Sequence, residues 1–81
     1  NGIILAKANM GEYAAGGQTG TRSSFGGMMC NPYDTQRDPG SSSGGSGMAV
    51  AANFVTCAIG EETVVSIRWP ARTGAWRPPG T

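Results

Sequence analysis

Histidine is absent from the 81 residues, lysine occurs once, at Lys7, and cysteine twice, at Cys30 and Cys57. Without histidine, neither a Ser-His-Asp nor a Cys-His mechanism can be built. Two cysteines cannot supply a four-ligand Cys/His zinc cage. A Cys30–Cys57 disulfide has little support from one pair alone; two free thiols in a reducing compartment, and hence a cytoplasmic location, are the expectation. Charge is also scarce, since six basic and five acidic residues leave a net charge of +1. No basic stripe tracks a phosphate backbone and no aromatics alternate with Lys or Arg, which disfavours nucleic acid as a partner. No apolar run approaches the length of a membrane span. The opening Asn1-Gly2-Ile3-Ile4-Leu5 has neither an initiator Met nor a charged leader, so it does not read as a signal peptide. A start inside an apolar run is what an excerpt of a longer fold would have.

Glycine is abundant instead. The chain holds 14 Gly and 5 Pro, with Gly at roughly twice average usage. Such a backbone loses much entropy on folding, while the apolar residues fall in short, Ala-rich runs that supply a thin core. A chain of this size is marginal on its own. The expectation is a single partial domain over residues 1–81.

Ile3-Ile4-Leu5-Ala6 is a continuous apolar run, suited to a buried strand of a parallel or mixed sheet. Residues 12–15 suit a helical turn closed by Gly16-Gly17, and residues 16–27 have loop composition. Asn31-Pro32-Tyr33-Asp34 and Arg37-Asp38-Pro39-Gly40 are turn signals. Met48-Ala49-Val50-Ala51-Ala52-Asn53-Phe54 reads as a buried helix with Ser46 as its N-cap. Val55-Thr56-Cys57-Ala58-Ile59, rich in β-branched residues and stopped by Gly60, reads as a strand. Ile67-Arg68-Trp69-Pro70-Ala71 begins either a short helix or a bend. In residues 72–81, Trp76 is the one large apolar group.

Two serine-bearing loops flank the small apolar helix. Ser41-Ser42-Ser43-Gly44-Gly45-Ser46-Gly47 has the composition of a flexible linker, but it abuts a helix N-terminus, where backbone N–H groups favour developing negative charge. No Lys follows its glycines, which excludes a nucleotide-binding P-loop. The second loop presents Ser66 beside Arg68. A serine nucleophile in a chain without histidine needs a lysine, a carboxylate or a relay through a second hydroxyl.

Four ordered stretches resemble the amidase signature family of Ser–Ser–Lys hydrolases. Pro39-Gly40-Ser41-Ser42-Ser43-Gly44-Gly45-Ser46 is similar to the family's P-G-G-S-S-G-G-S, and Gly60-Glu61-Glu62-Thr63-Val64-Val65-Ser66-Ile67-Arg68-Trp69-Pro70-Ala71 to its G-T-D-x-G-G-S-I-R-x-P-A. Leu5-Ala6-Lys7-Ala8-Asn9-Met10-Gly11-Glu12-Tyr13 resembles G-K-T-N-M-D-E-F, and Asn31-Pro32-Tyr33-Asp34 resembles N-P-W-D. The resemblance covers residues 3–71 and leaves 72–81 as a divergent tail.

That resemblance implies an α/β fold, a fragment of the amidase signature core in which helices cover a mixed β-sheet. It implies cleavage of the carbon–nitrogen bond of a small-molecule amide, without metal or cofactor. Ser66 would be the nucleophile and Ser42 the bridging serine, preceded by a cis peptide, here Ser41–Ser42. Backbone N–H groups of Thr63, Val64, Val65 and Ser66 would form the oxyanion hole. Lys7 matches the K-T-N-M lysine, which is not the family's base; the catalytic lysine belongs to a K-D-N-like motif that would lie before Asn1. Val64-Val65 stands where the family has Gly-Gly, so a positive φ at either position would be strained. Glu62 stands in place of Asp. The competing expectation is a non-catalytic remnant or interaction module that keeps the family scaffold. The identity of the amide and the oligomeric state are not readable from these residues.

Overall fold

The first helix begins where a linker would be read. In the computed structural model, which describes residues 2–14 and 22–75, helix α1 spans Gly44–Ala51, with Ser43 at its N-cap position and no side-chain capping bond. The expected helix over 48–54 with Ser46 as N-cap is therefore shifted towards the N-terminus. The reason is tertiary. The Gly45 N–H donates to Asn9 O at 3.0 Å, and a Cβ on Gly45 would sit 2.2 Å from that same oxygen. Close approach to the Asn9 backbone needs glycine here, and the contact offsets its poor helix propensity of about 1 kcal/mol. At the other end Asn53 adopts φ 64. Its N–H donates to Val50 O, and that of Phe54 to Ala49 O. This is a Schellman closure with Asn at the left-handed position.

Helix α2 covers Arg68–Gly74, resolving the helix-or-bend alternative at residues 67–71. Pro70 falls in its first turn, where the missing N–H is tolerated. The two helices pack through small residues: a Cβ on Gly47 would lie 3.0 Å from Pro70 Cβ, and one on Gly74 would lie 3.3 Å from Met48 Cε. Met29 and Met48 are the buried hydrophobic residues of the core among those described. The thin core expected from composition is what folds.

Strands β1 (Arg22–Ser23) and β2 (Gly27–Met28) pair antiparallel, Arg22 opposite Met28 and Ser23 opposite Gly27. This hairpin overlaps the stretch read as loop over 16–27, of which residues 16–21 are outside the described residues. The helical turn expected at 12–15 is instead a single hydrogen-bonded turn at Glu12–Ala14, closed by the Ala14 N–H on Gly11 O at 3.0 Å. Tyr13 and Ala14 in it have positive rather than helical φ.

Residues 3–6 and 55–59, expected as strands, are not strands. Ile3, Ile4 and Ile59 are 88%, 95% and 92% exposed. A strand exists only with a neighbour to complete its hydrogen-bond ladder, and no described segment pairs with either. Among the described residues there are two helices and one two-stranded antiparallel sheet, consistent with the expected fragment of an α/β fold.

The Asn-Pro turn serves as a clasp. Asn31, 1% exposed, accepts the Tyr33 N–H at 2.9 Å and donates Nδ2 to Thr73 O at 2.9 Å, while Tyr33 OH donates to Ala51 O at 2.8 Å. One turn thereby holds the C-terminal ends of both helices.

Candidate active site

The Ser/Gly loop is buried and tied on both sides. Ser41 and Ser42 are 1% and 3% exposed, and the peptide between them is cis. The Gly11 N–H donates to Ser42 O at 2.9 Å, and the Ser43 N–H donates to Ser66 O at 3.1 Å. That second bond joins the two serine loops directly, backbone to backbone. Side chains reinforce it: Ser43 Oγ accepts the Glu61 N–H at 3.2 Å, and Ser46 Oγ donates to Ile59 O at 2.8 Å. Gly60 lies between these tethers, where a Cβ would be 2.9 Å from Ser43 Oγ. The sequence points to no such tethering role for Ser43 or Ser46; their position in the first turn of a helix facing residues 59–61 becomes visible only in three dimensions.

The loop that carries Ser66 is closed by Glu62. Glu62 Oε1 accepts the N–H groups of Ile67 at 3.0 Å and Arg68 at 2.9 Å. Glu62 Oε2 accepts Arg68 Nε at 2.8 Å, and the far end of the guanidinium, Nη2, donates to Val64 O. The Arg68 backbone N–H, with the Ile67 N–H and the guanidinium behind it, holds the Glu62 carboxyl below its usual range against partial desolvation. On the far side of the Ser/Gly loop, Asn9 receives Ser23 Oγ at 2.9 Å and donates to Gly27 O at 3.2 Å, fastening the hairpin to the N-terminal segment.

These ordered stretches are matched by the amidase family over residues 1–75. The chain belongs to the amidase signature family. A glutamyl-tRNA(Gln) amidotransferase subunit of Saccharolobus solfataricus is 49% identical over 73 residues, which are 90% of this chain and 15% of that protein. The same subunit of Sulfurisphaera tokodaii is 51% identical over 73 residues, again 90% and 15%. That of Deinococcus deserti is 49% identical over 69 residues, 85% of this chain and 14% of the relative. The chain thus spans 14–15% of the length of these curated relatives. No solved structure matches it.

Within this amidase segment, Val64 and Val65 are not among the residues with positive φ, which outside glycine are Tyr13, Ala14 and Asn53 among the described residues. The strain expected if the paired valines had to adopt a glycine conformation does not arise. Among the described residues, no acceptor pairs with the backbone N–H of Thr63, Val64, Val65 or Ser66. Lys7 is exposed. A cavity of about 390 Å³ lies between α1 and α2, lined by Val50, Ala51, Ala71 and Gly74 among others. Ser42 and Ser66 do not line it, although their neighbours Ser43 and Ile67 do. It is an apolar cleft behind the serine loops rather than a chamber around the hydroxyls. No cluster of three or more His, Cys, Asp or Glu that could hold a metal occurs among the described residues. None of the described helices is long and apolar enough to cross a membrane.

Proposed function

We propose that this segment contributes the nucleophile and oxyanion hole of an amidase that opens a carbon–nitrogen bond through an acyl-enzyme on Ser66. Ser66 Oγ attacks the amide carbonyl carbon, and Ser42 takes the hydroxyl proton and passes it to the departing nitrogen. The C–N bond breaks, ammonia or an amine leaves, and water hydrolyses the ester with the reverse proton path. Unpaired N–H groups at residues 63–66 receive the negative charge on the tetrahedral oxygen. One such donor is typically worth about 10²–10³ in rate. The observation that carries this reading is the Ser43 N–H to Ser66 O bond at 3.1 Å, which brings the Ser42 and Ser66 loops together in a chain of this family. The relay's base, a lysine in the family, has no counterpart in the matched motifs here, because Lys7 stands at the K-T-N-M position. The remaining length of an amidase fold would supply it.

The relatives are named as one component of an amidotransferase, which supports a protein assembly as the working context for this segment. Cys30 and Cys57 are both free and exposed, which supports a reducing, cytoplasmic setting.

A fluorophosphonate probe tests the reading, since it labels only an activated serine. Stoichiometric labelling at Ser66, lost in Ser66→Ala, is the expected result. Intact, unlabelled Ser66 in a complete amidase context would overturn it. The alternative of a non-catalytic module keeping the family scaffold draws on the exposed apolar run at Ile3 and Ile4, a surface suited to association; it predicts binding without labelling.

A further inference from the structure

We infer that Arg68, held by Glu62, is a positioning residue that aims the N–H groups of Val65 and Ser66 at the oxyanion. This rests on the reading of residues 63–66 as the oxyanion hole.

Arg68 is the first residue of α2, so its N–H has no carbonyl to meet within the helix. Here that N–H goes to Glu62 Oε1 instead, at 2.9 Å. The Val64 carbonyl, which lies before the helix, accepts Nη2 of the Arg68 guanidinium. One residue further on, Val65 O accepts the Trp69 N–H at 2.9 Å. Two successive carbonyls are therefore drawn to the first turn of α2.

A trans peptide is planar, with its C=O and N–H antiparallel. The only cis peptide among the described residues is Ser41–Ser42. Drawing Val64 O towards Arg68 therefore turns the Val65 N–H away from α2, and drawing Val65 O towards Trp69 does the same for the Ser66 N–H. Both N–H groups are unpaired among the described residues. Two consecutive donors turned to one side are what an oxyanion hole requires. The backbone bond at Val65 forms with any residue but proline at position 69. The bond at Val64 depends on one side chain, and Glu62 fixes that side chain by occupying Arg68 Nε at 2.8 Å. Arg68 is suited to the task because its fork reaches a carboxylate and a carbonyl together, which a lysine ammonium does not.

The test has two arms, run on wild type, Arg68→Gln and Glu62→Gln in a complete amidase. In ¹⁵N relaxation, the wild-type Val65 and Ser66 amides should have order parameters near ~0.85. Both variants should fall below ~0.6 there while α1 stays rigid. In fluorophosphonate labelling, the variants should modify Ser66 about 10²-fold more slowly. Should Arg68→Gln fail to fold, Glu62→Gln carries the test, since it retains the shape and one acceptor but releases the guanidinium. Rigid Val65 and Ser66 amides in the variants overturn the inference, as does unchanged labelling of a reactive Ser66. If wild-type Ser66 takes no label, it is the nucleophile reading that falls, and relaxation alone decides the role of Arg68.

Discussion

Ser43 donates its backbone N–H to the carbonyl of Ser66 at 3.1 Å, so two loops distant in the chain meet through their main chains rather than their hydroxyls. The bond survives any side-chain replacement at either residue except proline at 43. Ser43→Ala should therefore lose only the Oγ contacts to Glu61, costing about 1 kcal/mol of stability. Labelling of Ser66 should stay within a few-fold of wild type. Denaturant melts and probe kinetics on the same variant separate the two effects.

Ser42→Ala should behave differently. Its hydroxyl is the proposed proton relay, and loss of a positioned proton-transfer group costs about 10²–10⁴ in rate. In a complete amidase, turnover should fall by that order with KM little changed, and Ser66→Ala should abolish it. A Ser42→Ala enzyme with wild-type kcat would remove Ser42 from the mechanism.

Ser41 Oγ is buried and has no hydrogen-bond partner among the described residues. An unsatisfied buried hydroxyl costs about 1–3 kcal/mol. Ser41→Ala is expected to raise the urea midpoint by an equivalent of about 1 kcal/mol, and a lower midpoint would show that the hydroxyl is satisfied in solution.

Glu62 gives the fold an acid sensitivity of known sign. Its carboxyl titrates below its ordinary value of 4.5, first because of the Arg68 N–H and then because of Ile67 and the guanidinium. A depressed folded pKa stabilises the fold above the unfolded pKa, and that contribution is lost as pH falls through the lower, folded value. Glu62→Gln should flatten the stability profile below pH ~4.5 while lowering stability at neutral pH. A denaturation series across that range reads both.

Gly45→Ala should be severe for its size. The new methyl would meet Asn9 backbone atoms at 2.2 and 2.6 Å, and such overpacking costs about 1–3 kcal/mol. The hairpin amides should lose protection in hydrogen exchange together with α1, because Asn9 joins both.

Much of the local chemistry was legible in the residues alone. Asn31-Pro32-Tyr33-Asp34 is a turn because Asn Oδ1 captures its own backbone two residues on, and that requires no distant partner. The four ordered motifs placed the chain in its family, and the Ser41–Ser42 peptide is cis as the resemblance implied. Long-range features were not legible. Ile3-Ile4-Leu5 has the composition of a buried strand, yet composition cannot supply the neighbour that a ladder needs. Gly44-Gly45-Ser46-Gly47 has the composition of a linker, yet contact with Asn9 makes it the first turn of α1. Glu62 looked like a one-methylene substitution until its carboxylate was seen holding Ile67 and Arg68. By itself, then, the sequence determined the turns and the family, because the motifs that mark them lie within short stretches of chain. Only the tertiary structure decided where α1 begins, which loops meet and what Glu62 and Arg68 hold. Those depend on pairings between residues far apart in the chain, whose energy exists only once the backbone has brought them together.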